Sequence, residues 1–397
     1  MIKIDRKEDC VGCGACLDCC PKDAISWQID IEGFWYPKVN LHRCVDCHLC
    51  ERVCPVLNAD RLNETNAAAG QPTVFAAYNT DSVVRVESTS GGLFSALAAK
   101  MLEQGGYIGG AVWTKDFGAR HIVSADPQDL QRIRGSKYFQ SDSTGLYVTV
   151  GTLLKQGERV LVCGCPCQMA ALRSFLKRDY DNLIIVDFIC CCINSPKLFR
   201  AYLDDLETKH GAKVIAYHPK NKKYGGWHNF AFKATFSNGK VYVKNGMDDE
   251  FTKCFIGTHI AGRPSCFECR FKSIPRVADI TIADFWGIEK IDKMMDSPDG
   301  TSLVLLNNAK GRAYYESLGD RVVSSEKTLK DAATENTNLY RSVTSPTIDR
   351  RLFYESLDRY GFRYTMDQFG YPRPSFRQRT RDLLKKVKIM LRRFTFR

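Results

Sequence analysis

Eight of the nine cysteines in the first sixty residues limit what this chain can fold into more than any other feature. Cys10, Cys13, Cys16 and Cys20-Pro21 follow the spacing C-x2-C-x2-C-x3-C-P, and Cys44, Cys47, Cys50 and Cys54-Pro55 repeat it. Three thiolates this close wrap one face of an iron–sulfur cubane, and in bacterial two-cluster ferredoxins the fourth Cys of each run crosses to the other cluster. Cys10, Cys13, Cys16 and Cys54 are therefore expected to hold one 4Fe-4S cluster, and Cys44, Cys47, Cys50 and Cys20 the second. A pair of zinc sites fits poorly, because zinc motifs set two cysteines against two across a gap. Gly12, Gly14 and Ala15 let the backbone approach the sulfurs, and each Pro turns the chain away. Cys19 is surplus and reads as packed. Ala24–Trp27 and Phe34–Pro37 read as short hairpin strands. Two cubanes in one such domain make a wire for single electrons.

The chain has 18 cysteines in 397 residues, too many for the ferredoxin motif alone. Met1 to Asp9 lacks the apolar core of a signal peptide. No apolar run approaches the roughly 18 residues of a membrane span. A reducing cytoplasm is thus expected, where metal binding is the leading use of cysteine. The net charge of +12 comes mostly from residues 372–397, which hold ten Lys or Arg and one Asp. The body is close to neutral, which argues against nucleic acid as a partner.

Residues 59–72 are polar, Ala-rich and without periodicity, and read as a linker. Thr73–Tyr78 reads as a buried strand, and Tyr107–Trp113 as another. Ser88-Thr89-Ser90-Gly91-Gly92 precedes a helical stretch, Leu93–Leu102. Free N–H groups there suit a phosphate, and equally an ordinary N-cap. Neither G-x-G-x-x-G nor a Walker sequence is present. Arg134–Ser141 is basic and polar, and its composition favours a solvated loop over an anion site. A second cysteine set follows. Strand Arg159–Val162 leads into Cys163-Gly164-Cys165-Pro166-Cys167-Gln168 and a helix, Met169–Leu176. Strand Leu183–Ile189 ends in Cys190-Cys191-Cys192, Cys266-x-x-Cys269 adds a pair, and strand Ala278–Ala283 ends at Asp284-Phe285-Trp286-Gly287. Cysteines gathered at strand ends of an α/β topology predict a third metal site. Spacing leaves open which of Cys163, Cys165, Cys167, Cys190, Cys191 and Cys192 bind it. Cys254 reads as a core thiol. Phe230–Val243, with Asn238-Gly239 at its turn, reads as a hairpin. Gly225-Gly226-Trp227-His228 reads as a turn, with a mobile lid as the other reading. His218, His228 and His259 are isolated and read as structural.

The order of these motifs resembles the family of coenzyme F-420 hydrogenase/dehydrogenase beta subunits, in members with an N-terminal two-cluster ferredoxin domain. The resemblance runs over roughly residues 1–310. It rests on Ser90-Gly91-Gly92, Gly135-Ser136-Lys137-Tyr138, Gly164-Cys165-Pro166-Cys167-Gln168, Asp187-Phe188-Ile189-Cys190, Ser195-Pro196-Lys197, Cys266-x-x-Cys269 and Asp279–Gly287. It implies FAD beside a 4Fe-4S cluster. By position, Cys167, Cys190, Cys266 and Cys269 become the third cluster's ligands. Ser90, Gly91, Gly92, Ser136, Lys137 and Tyr138 become flavin contacts, with Asp284 and Trp286 as candidates near the flavin. Two departures stand out. Cys165 replaces the family's usual Thr, and Cys190-Cys191-Cys192 replaces its usual Cys-His-Gly. No general acid is assigned.

The fold class expected is α+β: a small two-cluster ferredoxin-like domain (1–58), a linker (59–72), a mixed α/β flavin and iron–sulfur region in two parts (73–150 and 151–345), and a basic helical tail (346–397). The function implied is an iron–sulfur flavoprotein oxidoreductase. It would pass electrons between the clusters and FAD, for hydride transfer to coenzyme F-420 or another small molecule, in a setting such as polysaccharide biosynthesis. A non-catalytic electron-transfer subunit is the alternative. Soluble ferredoxin or another redox protein is the expected partner. Within the tail, residues 375–397 place Leu383, Leu384, Val387, Met390, Leu391 and Phe394 on one arc of a helix otherwise basic, which suits an anionic membrane surface or a docking partner.

Overall fold

The computed structural model describes residues 1–62 and 70–369. The amphipathic stretch expected over 375–397 lies outside the described residues.

Continuous apolar runs set the centre of the molecule. Leu183-Ile184-Ile185-Val186 is buried throughout, as a strand covered on both faces requires. It belongs to an eight-stranded mixed sheet formed by β3 (Thr73–Asn79), β4 (Tyr107–Trp113), β5 (Ala119–Ser124), β6 (Val160–Gly164), β7 (Leu183–Phe188), β11 (Ile280–Asp284), β12 (Ser302–Leu306) and β13 (Val322–Lys327). The spatial order is β13-β3-β12-β11-β7-β6-β4-β5. β4, β6, β7 and β11 are mutually parallel, while β12, β13 and β5 run antiparallel to their neighbours. Alternate residues serve opposite faces. Val160, Val162, Leu183 and Ile185 pack under helices Leu146–Lys155 and Pro166–Leu176, whereas Leu161, Ile184 and Val186 pack under helix Leu93–Glu103.

A three-stranded antiparallel sheet, β8 (Val214–Asn221), β9 (Ala231–Phe236) and β10 (Val241–Asn245), sits beside this layer, and β9 and β10 form the expected hairpin. Its core joins helices Pro196–His210 and Arg350–Phe369. The start of the expected tail (346–397) is thus part of the body, with Phe353 and Tyr354 essentially inaccessible. Cys254 lies in this core against Met366, as a packed thiol should.

The ferredoxin-like segment carries one hairpin, β1 (Ile25–Ile29) with β2 (Trp35–Val39). Its Cys13, Ala15, Val53 and Val56 share a core with helices Leu146–Lys155 and Pro166–Leu176. Ala59 and Leu62, expected in the linker (59–72), are buried in the same core, so that segment opens as packed structure. Glu32 pairs with Arg350 at 2.5 Å, and Ser195 Oγ donates to the Glu32 carbonyl. Gly12 sets the closeness of the join. Its φ is +65°, and a Cβ there would lie 2.5 Å from Gln140 Nε2 and 2.8 Å from Arg263 Nη1. The sequence suggests this glycine makes room for sulfur; the structure shows it also makes room for the body.

Candidate redox site

The two N-terminal cysteine runs interleave. Cys10, Cys13, Cys16 and Cys54 line one cleft, and Cys20, Cys44, Cys47 and Cys50 line another. Backbone N–H groups of Ile2 and Ala24 donate to the sulfurs of Cys50 and Cys20, at 3.2 and 3.3 Å. Burial, with the neighbouring sulfurs Cys54 and Cys10, pushes the Cys13 thiol far up, and burial does the same to Cys16. Buried thiols such as Cys13 and Cys16 ionise only when a cation offsets their charge, which suits a metal-cluster donor set. Cys19 is packed beside the second cleft, its Sγ 3.5 Å from the Cys16 carbonyl.

The second cysteine set forms where parallel strands end. Cys165 and Cys167 follow β6, Cys190–Cys192 follow β7, and helix Pro264–Phe267 brings Cys266 and Cys269 to the same place. Burial and then the sulfurs of Cys269, Cys190 and Cys266 push the Cys167 thiol well up. Cys266 is raised to about 12, by burial and then by Cys190. Cys190 shares a proton with Cys165, which holds Cys190 below the ordinary thiol value. The four residues Cys167, Cys190, Cys266 and Cys269 are therefore neighbours. Cys165 also caps helix Pro166–Leu176, and Cys163 lies apart, beside Lys137. Behind Cys190, Arg276 and Asp187 form an ion pair at 2.9 Å, both side chains at most 1% exposed, and Thr281 donates to the same carboxylate.

This set adjoins the first cleft. Cys13 is among the groups that raise Cys167. The Tyr147 hydroxyl and Ser143 Oγ donate to the Cys13 carbonyl, at 2.7 and 2.6 Å. Between the two sets lies Arg263, fully buried. Its Nε donates to the Cys10 carbonyl at 2.8 Å, Nη1 to Gln140 Oε1 at 2.9 Å, and Nη2 to the Trp35 carbonyl at 3.0 Å, with Cys10 Sγ at 3.6 Å. The guanidinium also lies over the Tyr36 ring. Cys266 is three residues further along, and its Sγ accepts from the Ile193 N–H at 3.3 Å.

A polar cluster follows at the same sheet edge, at the end of β11. Asp284 binds Lys220 Nζ at 2.5 Å and Trp227 Nε1 at 2.7 Å. Trp227, fully buried, stacks on Trp286 with ring centroids 4.9 Å apart. Its burial and stacking support the turn reading of 225–228. Lys222 Nζ donates to the carbonyls of Arg85, Ser90 and Asp299, at 2.5 to 2.7 Å. Burial and then Lys220 push its ammonium down to about 7. Arg85 lies over the Tyr78 ring, donates from Nε to the Gly300 carbonyl, and has a buried Nη2 without a hydrogen-bond partner.

The two stretches singled out in sequence meet here: Thr89 Oγ1 accepts from both N and Oγ of Ser136, at 3.2 and 3.3 Å. Ser90 Oγ donates to the Thr301 carbonyl. Gly91 is a packing position, since a Cβ would lie 2.6 Å from the Ala77 carbonyl oxygen, and Gly92 starts helix Leu93–Glu103. The stretch 134–141 is a solvated loop only in part: Gly135 is exposed, whereas Phe139 and Gln140 are each 3% exposed. Lys137 points elsewhere. Its ammonium sits among the carbonyls of Arg132, Ile133, Arg134 and Gly135 and caps helix Pro127–Ile133. The buried Tyr138 hydroxyl bonds Ser136 and feels the charges of Asp284 and Cys191.

Sequence reasoning passes over Arg263, Arg85, Lys220 and Lys222, because a basic residue in a loop or strand reads as solvated. The available signal is weak: Lys220 and Lys222 share a strand parity, and Arg263 precedes a C-x-x-C pair.

Two stretches match the beta subunit of coenzyme F-420 hydrogenase/dehydrogenase, residues 74–146 its N-terminal part and residues 157–332 its C terminus. Residues 9–58 match "4Fe-4S dicluster domain". The chain is 21% identical to a component of the F(420)H(2) dehydrogenase of Methanosarcina mazei, over 81% of this chain and 86% of that one. It is 24% identical to the beta chain of the coenzyme F-420 hydrogenase of Methanococcus voltae, over 65% of this chain and 85% of that one. A solved chain of the F-420-reducing NiFe hydrogenase complex from Methanosarcina barkeri covers 68% of this chain, with 90% of its own length matched, at a TM-score of 0.46 and 20% identity.

Proposed function

Because this chain belongs to the family of coenzyme F-420 hydrogenase/dehydrogenase beta subunits and carries a 4Fe-4S dicluster domain, we propose that it is a flavin-dependent oxidoreductase. It exchanges single electrons with a ferredoxin-like partner and hydride with a small molecule, coenzyme F-420 being the first candidate. Its place among iron–sulfur electron-transfer proteins follows from the family; the flavin, the acceptor and the ligand assignments are the proposal.

The observation that carries it is the unbroken sequence of three sites. The cleft of Cys10, Cys13, Cys16 and Cys54 adjoins the Cys167, Cys190, Cys266 and Cys269 set through Cys13 and Arg263. The polar cluster of Asp284 and Trp286 lies next to that set, at the carboxyl ends of parallel strands, where open α/β sheets place ligands. The polar cluster fits an anionic cofactor. Two buried lysines, Lys220 and Lys222, and the half-buried Arg85 are set against Asp284 and Asp299, and Arg85 keeps a buried donor unused. A bound diphosphate would take up that donor and relieve the desolvation that depresses both lysines.

Each residue then has a task. Lys222 ties the Ser90 turn to the Asp299-Gly300 turn and fixes one wall. Lys220 and Trp227 hold the Asp284 carboxylate from both oxygens and keep it aimed. Trp286 and Trp227 exclude water from the same wall. A bound flavin would supply the conversion a cubane cannot make, accepting electrons singly, taking up a proton and giving two electrons and that proton up together as a hydride.

The test is to purify the chain anaerobically and measure iron, acid-labile sulfide and flavin. About twelve irons and one FAD per chain, with turnover of an added hydride carrier, is the expected result. About eight irons and no flavin would refute the flavin site and the third cluster, leaving an electron-transfer protein that needs a partner for its chemistry.

A further inference from the structure

The proposed third cluster uses four thiols and leaves two vicinal ones over. Cys191 and Cys192 follow Cys190 at the end of β7, their sulfurs within 4.8 Å of each other, and Cys192 Sγ lies 3.7 Å from Asn194 Oδ1. His259, a histidine that reads as isolated in sequence, comes to the same place. The sulfurs of Cys191 and Cys192 and a ring nitrogen of His259 all lie within 4.8 Å of one another. We propose that Cys191, Cys192 and His259 bind a single thiophilic divalent cation, zinc, beside the iron–sulfur cluster and separate from it.

The surroundings are those of a metal ligand set. His259 Nδ1 lies 2.8 Å from the Phe255 carbonyl, so Nδ1–H donates there and Nε2 keeps the lone pair. A histidine metal ligand is ordinarily held this way by its second nitrogen. The His259 backbone has φ +56°, and the Gly262 N–H closes the turn onto the His259 carbonyl at 2.9 Å. Lys272 Nζ donates to the Cys191 carbonyl at 2.7 Å and to Asn338 Oδ1 at 3.2 Å, placing a cation beside the thiolates. Asn338 also hydrogen-bonds the Cys191 sulfur. Two sulfurs and one imidazole are a donor set zinc accepts, and three protein ligands leave its fourth position open. Cys192 is buried, while Cys191 and His259 are partly exposed, so the ion has a way in. Hard cations such as magnesium would find no oxygen ligand among these three groups.

The inference rests on Cys167, Cys190, Cys266 and Cys269 holding the cluster, and its test separates the two. The full chain is purified anaerobically from zinc-supplemented cells, and iron and zinc are counted together by mass spectrometry. About one zinc accompanies about twelve irons in the unaltered chain, and zinc-edge X-ray absorption shows two sulfurs near ~2.3 Å and a nitrogen near ~2.0 Å. Cys191→Ser and His259→Asn each lower zinc by at least about tenfold with iron unchanged, Asn being chosen because it tolerates a positive φ. Full iron with no zinc in the unaltered chain overturns the zinc site and leaves the cluster assignment standing. Unchanged zinc in both variants overturns it likewise. Loss of about four irons from Cys191→Ser overturns both, because Cys191 is then a cluster ligand.

Discussion

Arg263→Met should lower the reduction potential of the cluster nearest the body by roughly 100 mV. A cubane with four thiolates carries one more negative charge when reduced, so a neighbouring cation favours the reduced form. Arg263 is fully buried, and its partners are neutral acceptors, a thiol and aromatic faces. Its charge is therefore unscreened by solvent. The guanidinium lies 3.6 Å from Cys10 Sγ; adding a metal–sulfur bond of about 2.3 Å puts the charge roughly 6 Å from the metal. At an effective dielectric of about 20 the interaction is roughly 2.8 kcal/mol, or about 120 mV for one electron. The assay is a redox titration followed by electron paramagnetic resonance, on protein of unchanged iron content. Arg263→Lys keeps the charge and should recover most of the shift. If every midpoint in Arg263→Met stays within about 20 mV of the unaltered protein, the guanidinium does not act on the cluster and the electrostatic reasoning fails.

Arg85→Met and Lys222→Met should each cut bound flavin at least about fivefold at unchanged iron, because each removes a cation from the polar cluster; flavin released on denaturation is the readout, and full retention in both refutes the anion-site reading. Arg276→Met strands the Asp187 carboxylate in the core and should cost about 3–5 kcal/mol in urea unfolding. Adding Asp187→Leu to that variant should recover more than half, since the stranded charge is then gone. Burial, and then Lys137, hold the His121 imidazole down at about 4 against an ordinary 6.5. Protonation therefore favours the unfolded chain, and this contribution is present above pH 6.5 and lost as pH falls towards 4. Between about pH 6.5 and 5 the unaltered protein should lose roughly 2 kcal/mol relative to His121→Gln, measured by parallel denaturation curves.

What could be read from sequence divides along physical lines. Covalent spacing fixes a cubane's three near ligands, so the runs at Cys10 and Cys44 announce themselves and their interleaving follows. Continuous apolar runs announce buried parallel strands, which is why β4 was expected over its observed span and β7 within one residue. The sheet edge that gathers Cys167, Cys190, Cys266 and Cys269 depends on strand order, which no local pattern encodes. Buried cations are harder still. Lys222 and Arg263 belong to residue types that seek water, and only a tertiary environment of carbonyls, an amide oxygen and an aromatic face keeps them inside. Trp227 hid in a Gly-Gly turn for the opposite reason, because its loop is polar and its ring alone is core.

The join between Gly12 and Arg263 has a consequence in time. During synthesis at about 5–20 residues per second, the cysteine runs leave the ribosome some tens of seconds before Arg263 does, and longer before Arg350 can close on Glu32. Through that interval the first cubane's binding loop exists without its guanidinium cover, open to water and to oxidants. Iron and sulfide reaching the nascent chain would therefore meet a loop not yet braced by Arg263, whereas in the finished chain that guanidinium already holds the Cys10 carbonyl. The chain is arranged so that its first-made part is the last to be sealed.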